Sequence, residues 1–172
     1  YRDKDAIPAV GSAVVMDVNT GAVLACATYP SYDLNTYYQN YEALSKDKSS
    51  PLWNRALMST YEPGSTMKPA IAAAGLEEGV ITETSKFYCS HIYRQFTDTT
   101  FKCLGSHGWI DVKNALNQSC NIYFYETGRL LGINRMNDYC TRFGLGQKTG
   151  VEINESSGVL AGIAYREAHG GT

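Results

Sequence analysis

Tyr61-Glu62-Pro63-Gly64-Ser65-Thr66-Met67-Lys68-Pro69, running on into Ala70-Ile71-Ala72-Ala73-Ala74-Gly75-Leu76, is the stretch on which the fold turns. Glu62-Pro63-Gly64 reads as a turn, because Pro presets φ and Gly accepts positive φ. The apolar, Ala-rich run from Met67 to Leu76 reads as a helix stopping at Glu77-Glu78-Gly79. Ser65 then falls at a helix N-terminus, where unpaired backbone N–H groups and the positive end of the dipole suit a developing oxyanion. Lys68, three residues on, shares a helix face with Ser65. A serine hydroxyl is a poor nucleophile, and an amine whose pKa is lowered by desolvation can take its proton. The same S-x-x-K also describes an N-cap serine with a solvated lysine one turn on, so context must choose.

Downstream, Ile110 to Gln118 and Ile122 to Leu131 read as two short helices, with Ser119-Cys120-Asn121 at their junction, 54 residues after Ser65. A second hydroxyl there can relay a proton to a leaving group, and an amide can hold a substrate carbonyl or fix the lysine. Alone, S-x-N is also a helix cap. A third helix is expected over Asn134 to Phe143, ending at Gly144, followed by a Gly-rich tail. Upstream, Gly11 to Tyr29 holds two Val- and Ala-rich runs around Asp17-Val18-Asn19-Thr20-Gly21, the pattern of an antiparallel hairpin. Pro30 to Pro51 lacks a sustained period and reads as a loop with short helical pieces; Ile81 to Gly108, rich in Thr, Tyr and Phe, reads as a β-like loop.

The 172 residues, 44% of them hydrophobic, allow one domain or part of one. A net charge of −2 gives no electrostatic case for nucleic acid. No apolar run reaches the roughly 18 residues needed to cross a bilayer.

These segments together resemble the penicillin-binding proteins, in particular the class B monofunctional D,D-transpeptidases. The resemblance rests on Ala13-Val14-Val15-Met16-Asp17, Thr20 to Ala25, Tyr29-Pro30-Ser31-Tyr32-Asp33-Leu34-Asn35, Asn54-Arg55-Ala56 and Tyr61 to Pro69. It continues through His107-Gly108-Trp109-Ile110-Asp111-Val112, Ser119-Cys120-Asn121, Phe143-Gly144-Leu145-Gly146 and Glu155-Ser156-Ser157-Gly158. It implies an α+β transpeptidase fold of the serine β-lactamase type, an antiparallel sheet packed by helices plus an all-α subdomain. It also implies Ser65, Lys68, Ser119 and Asn121 as catalytic residues. Ser65 would attack the penultimate D-Ala carbonyl of a peptidoglycan stem peptide, release the terminal D-Ala and pass the acyl group to an amine; β-lactams would acylate the same serine. The expected setting is the extracytoplasmic face of a bacterial membrane, with an anchor upstream and a glycosyltransferase among the partners.

The family's third motif, Lys-Thr or Lys-Ser followed by Gly, stands on a strand well beyond S-x-N. Lys148-Thr149-Gly150 follows Asn121 by only 27 residues, within the Gly-rich element, and reads as a lookalike. Residues 1–172 are therefore expected to be the N-terminal portion of one transpeptidase domain, truncated before its C-terminal strands and showing little activity alone.

Five cysteines cannot all pair within one chain. Cys89, His91, Cys103 and His107 carry the ligand types of a tetrahedral zinc site, with Asp98 able to replace an imidazole. Zinc here would be structural, since acyl transfer needs no cofactor; a Cys89–Cys103 disulfide is the rival. Cys26 and Cys140 are expected to be buried small hydrophobes, and Cys120 to point away from Ser65. A serine β-lactamase or D,D-carboxypeptidase, deacylating by water, remains an alternative, but no carboxylate stands out as the base it needs. A non-catalytic β-lactam sensor is the other, against which the Tyr29-to-Asn35 pattern argues.

Overall fold

The computed structural model describes residues 10–96 and 98–170. The chain forms two compact units: one holds the chain up to Thr60 together with Gly150–Ser156, the other Tyr61–Thr149 and the chain from Ser157. Among the described residues no helix is long and apolar enough to cross a membrane.

In the first unit, β1 (Gly11–Met16) and β2 (Val23–Tyr29) pair antiparallel from Gly11 opposite Tyr29 to Val15 opposite Ala25, with an irregularity between Val15 and Met16. The polar run between them closes the hairpin as its residue types predict. Asp17 Oδ1 accepts the Asn19 and Thr20 N–H groups at 2.7 and 3.1 Å, and Gly21 takes φ +74° where a side chain would be strained. Tyr37–Lys46 forms a helix of ten residues, α1, where only short helical pieces were expected. None of its residues is fully buried, and its periodic side chains, Tyr37, Tyr41 and Leu44, are mostly aromatic, with the Tyr37 and Tyr41 rings in contact. Arg55–Met58 forms the short α2, whose buried Arg55 guanidinium donates to the Ser50 carbonyl at 3.0 Å and to the Ser49 carbonyl. The returning segment joins through Ser156 N–H, which donates to the Leu57 carbonyl at 2.8 Å. Cys26, expected to be buried, is exposed on β2.

The second unit carries the core. A 3-10 turn over Gly64–Met67 leads into α3 (Lys68–Glu77), which buries Ile71, Ala72, Ala74 and Gly75. Two small antiparallel ladders follow, β3 (Phe87–Cys89) with β6 (Gly108–Ile110) and β4 (Ile92–Tyr93) with β5 (Phe101–Lys102), giving the expected β-like region regular pairing. Next come α4 (Val112–Asn117), α5 (Asn121–Leu131) and α6 (Ile133–Arg142). Asp111 caps α4 by accepting Asn114 N–H at 2.9 Å. Gly132, at φ +75°, lets the chain leave α5 and start α6 directly. Ile110 belongs to β6 and not to the helix, and Ile163–Ala168 forms a short α7 within the tail.

α3 packs against α5 at Gly75, where an added Cβ would lie 2.8 Å from Thr127 Cγ2 and 3.0 Å from Ile81 Cγ1. Only glycine allows this approach, which sets the spacing of the two helices in their C-terminal halves. Tyr123, wholly buried on α5, satisfies its hydroxyl by donating to the Ser85 carbonyl at 3.1 Å.

Candidate active site

Four polar side chains meet where α3 and α5 begin. Pro63 and Gly64, the latter at φ +54°, turn the chain so that Ser65 enters the 3-10 turn, and the Lys68 N–H closes on the Ser65 carbonyl. Ser65 and Lys68 thus share one face, with Lys68 Nζ 3.1 Å from Ser65 Oγ. Across the junction, Ser119 adopts φ +51°, an uncommon conformation for a residue with a Cβ. This turn places Ser119 Oγ 2.9 Å from both Lys68 Nζ and Ser65 Oγ. Asn121 opens α5 with Oδ1 2.6 Å from Lys68 Nζ, and its orientation is fixed because Nδ2 donates to the Lys102 carbonyl at 3.0 Å. All four residues named from the sequence are brought together.

Lys68 is buried, and its surroundings state which proton it can give or take. The Ser119 carbonyl, 2.7 Å away, and Asn121 Oδ1 are pure acceptors, so each takes one N–H of the amine. A neutral amine then has its lone pair left for a hydroxyl proton, and the two hydroxyls nearby are those of Ser65 and Ser119. Burial lowers the Lys68 pKa from its ordinary value of 10.5, while negative charge on Cys103 or Cys120 as thiolates acts the other way. The site therefore favours the uncharged amine more than water does.

Directly behind Asn121 lies a second cluster. The ligand atoms of Cys89, Cys103, His107 and Cys120 all lie within 4.8 Å of one another, the three thiols buried. Cys103 Sγ is 3.9 Å from Cys120 Sγ and 3.6 Å from His107 Nδ1; Cys89 Sγ is 3.4 Å from the same nitrogen. Three sulfurs and one imidazole nitrogen at such separations fit the edges of a tetrahedron with metal–sulfur distances near 2.3 Å. Burial works to raise the Cys103 pKa, but the N–H groups of Gly105, Asn121 and Ile122 outweigh it and bring the thiol down to about 7. Burial pushes Cys120 up to about 12.

One expected ligand is replaced. His91 is outside the cluster: it takes φ +75° in the turn between β3 and β4, and its carbonyl accepts Cys103 N–H at 2.8 Å. Cys120 stands in its stead. Flanked by Ser119 and Asn121, with extended φ and ψ of −66° and 111°, it turns away from Ser65 as expected, and so into the group of thiols. Asp98 is not among the four. Lys148, Thr149 and Gly150 lie in irregular chain with no strand.

A hydroxyl beside a desolvated amine, with a second hydroxyl touching both, is a donor set that an active-site serine acyltransferase can use. The chain belongs to the penicillin-binding protein transpeptidase family, residues 11–163 matching the penicillin binding protein transpeptidase domain. It is 34% identical over 168 residues to the peptidoglycan D,D-transpeptidase MrdA of Salmonella typhimurium, which covers 91% of this chain and 26% of that protein. The MrdA of Acinetobacter baumannii is 35% identical over 164 residues, 87% of this chain and 24% of that protein. Among solved structures, Pseudomonas aeruginosa PBP2 in complex with WCK 5153 superposes with a TM-score of 0.86 at 34% identity, over 93% of this chain and 38% of that one. Helicobacter pylori PBP2, solved in complex with MreC, gives 0.85 at 28% identity, over 92% of this chain and 31% of that one. The α+β transpeptidase fold is thereby established, and the chain spans about a quarter of the length of these curated relatives.

Proposed function

We propose that this chain is the front part of the transpeptidase domain of a class B penicillin-binding D,D-transpeptidase, with Ser65 as nucleophile. The observation that carries the reading is Lys68 Nζ, desolvated and held between Ser65 Oγ and Ser119 Oγ at 3.1 and 2.9 Å. In acylation, Ser65 Oγ attacks the penultimate D-Ala carbonyl of a stem peptide while its proton passes to the Lys68 lone pair. Ser119, touching both groups, carries a proton on to the departing amine of the terminal D-Ala. An amine from a neighbouring strand then attacks the acyl-enzyme, gives up its proton along the same path and restores Ser65. A β-lactam enters by the same first step, but its leaving nitrogen stays tethered.

Asn121 and the Ser119 carbonyl occupy two hydrogens of Lys68 and so aim its remaining valence at the hydroxyls. The third family motif would come from a strand outside residues 1–172; Lys148-Thr149-Gly150, lacking any strand, is a poor candidate for it. Cys89, Cys103, His107 and Cys120 suit a structural zinc ion that would pin the S-x-N turn to β3 and β5, supplying cross-linking and no step of the acyl transfer. The setting that fits is the outer face of the cell membrane, with the anchor contributed elsewhere in the protein. A glycosyltransferase and an MreC-type scaffold fit as partners, the latter because a structural neighbour was solved with one.

The test is labelling of the full-length protein by a fluorescent penicillin. Ser65→Ala should abolish the label while the circular dichroism spectrum is kept. Persistent labelling of that variant would refute the assignment, and turnover of the adduct within minutes would favour the β-lactamase alternative.

A further inference from the structure

The thiol cluster and the S-x-N turn are one mechanical unit. Cys120 is the residue between Ser119 and Asn121, and Cys103 Sγ accepts the Asn121 backbone N–H at 3.2 Å while lying 3.9 Å from Cys120 Sγ. A disulfide needs a sulfur separation of about 2.05 Å, so this pair must close by roughly 2 Å to form one. Cys89 lies against both sulfurs as well, and its thiol is turned to the Gly105 carbonyl at 3.4 Å and to His107 Nδ1 at 3.4 Å.

We propose that Cys103 and Cys120 are an oxidation site: left without metal, the two thiols are joined by hydrogen peroxide into a disulfide that disables the Ser65 centre. A small oxidant is specified because Cys103 is 4% and Cys120 0% exposed, beyond the reach of another protein's disulfide. The Cys103 thiolate attacks one peroxide oxygen, breaking the O–O bond and releasing hydroxide, which leaves a sulfenic acid. The Cys120 sulfur then attacks the Cys103 sulfur, and the sulfenic oxygen departs as water. In sum two thiols and one peroxide give one disulfide and two waters; each sulfur is oxidised by one electron and both oxygens are reduced.

The closure acts through the chain. Pulling Cys120 toward Cys103 displaces its neighbours, and Ser119 Oγ has 2.9 Å contacts on both sides to lose. A misplacement of about 1 Å in a catalytic constellation costs on the order of 100-fold in rate. Metal bound to the same sulfurs occupies the electron pairs that would attack peroxide, so the loaded protein is protected. The disabling effect rests on the acyl-transfer reading; the disulfide itself does not.

The experiment takes the full-length protein, one portion loaded with Zn²⁺ and one stripped by chelator, treats each with hydrogen peroxide, alkylates the remaining thiols, and maps cross-linked peptides by mass spectrometry. Penicillin acylation rates are measured in parallel. Compared with stripped, untreated protein, the stripped protein given peroxide should yield a Cys103–Cys120 linked pair and lose acylation on the order of 100-fold, and reductant alone should reverse both changes. The loaded protein should yield neither change. A Cys89–Cys103 pair, sulfinic acids in place of a disulfide, or a Cys103–Cys120 disulfide with acylation unaltered would each overturn the proposal. Loaded, untreated protein that fails to react with penicillin would instead overturn the acyl-transfer reading and the disabling effect with it, the peptide map alone then deciding whether the dithiol closes.

Discussion

Replacing Asn121 by Asp tests what Lys68 does. The change is isosteric and places a carboxylate oxygen where Asn121 Oδ1 now stands, 2.6 Å from Lys68 Nζ. Opposite unit charges about 4 Å apart attract by about 4 kcal/mol at an effective dielectric of about 20. Desolvation of the new carboxylate offsets part of this. So does its second oxygen, which would face the Lys102 carbonyl where Asn121 Nδ2 now donates at 3.0 Å. What remains raises the lysine pKa by about one to three units, the usual effect of a close opposite charge. Each unit removes a factor of ten from the neutral amine at pH values below its pKa, so acylation at neutral pH should fall about 10- to 1000-fold.

Burial lowers the Lys68 pKa from 10.5 and so sets where the pH dependence falls. The native acylation rate should climb with pH and level off below that value, because the reacting form is the uncharged amine. In Asn121→Asp the climb should move to higher pH while the alkaline plateau is kept. The assay is the second-order rate constant for a fluorescent penicillin on the full-length protein from neutral to alkaline pH. An unmoved profile would refute Lys68 as the proton acceptor, and an equal drop at every pH would mean that geometry was damaged and charge was not the cause.

Gly75→Ala should destabilise the protein by about 1–3 kcal/mol in denaturant titration, since the methyl would meet the buried Thr127 and Ile81 rather than solvent. An unchanged midpoint would mean that α3 and α5 separate easily. The purified full-length protein should carry one zinc per chain by elemental analysis, and chelation should lower its melting temperature. Zinc affinity should weaken as pH falls, because protons compete for thiols of which Cys103 titrates at about 7 and Cys120 at about 12. Absence of stoichiometric metal would end that assignment.

The hairpin was readable because Val- and Ala-rich runs flank an Asp and a Gly that can each do only a few things in a turn. Ser65 and Lys68 were readable because both lie on one helical turn, where spacing implies proximity. Ser119 and Asn121 needed the family resemblance, since nothing local says that a turn 54 residues away reaches Lys68. The metal-ligand set was half legible. Sequence spacing favours His91, two residues from Cys89, but a left-handed residue reverses the chain there, and Cys120 arrives from a different element. α1 was missed because its periodic side chains, Tyr37, Tyr41 and Leu44, stand in a run of tyrosines and polar residues with no cap signal, and α7 because it spans only six residues.

The left-handed backbone of Ser119 sets stability against chemistry at a single residue. A glycine there would relax a conformation that costs a side-chain-bearing residue about 1 kcal/mol or more, so the protein would fold more readily without its second hydroxyl. If Ser119 is the proton relay of the proposed acyl transfer, its hydroxyl is held there at the expense of stability, and a screen of variants for heat resistance should recover glycine here together with loss of penicillin acylation.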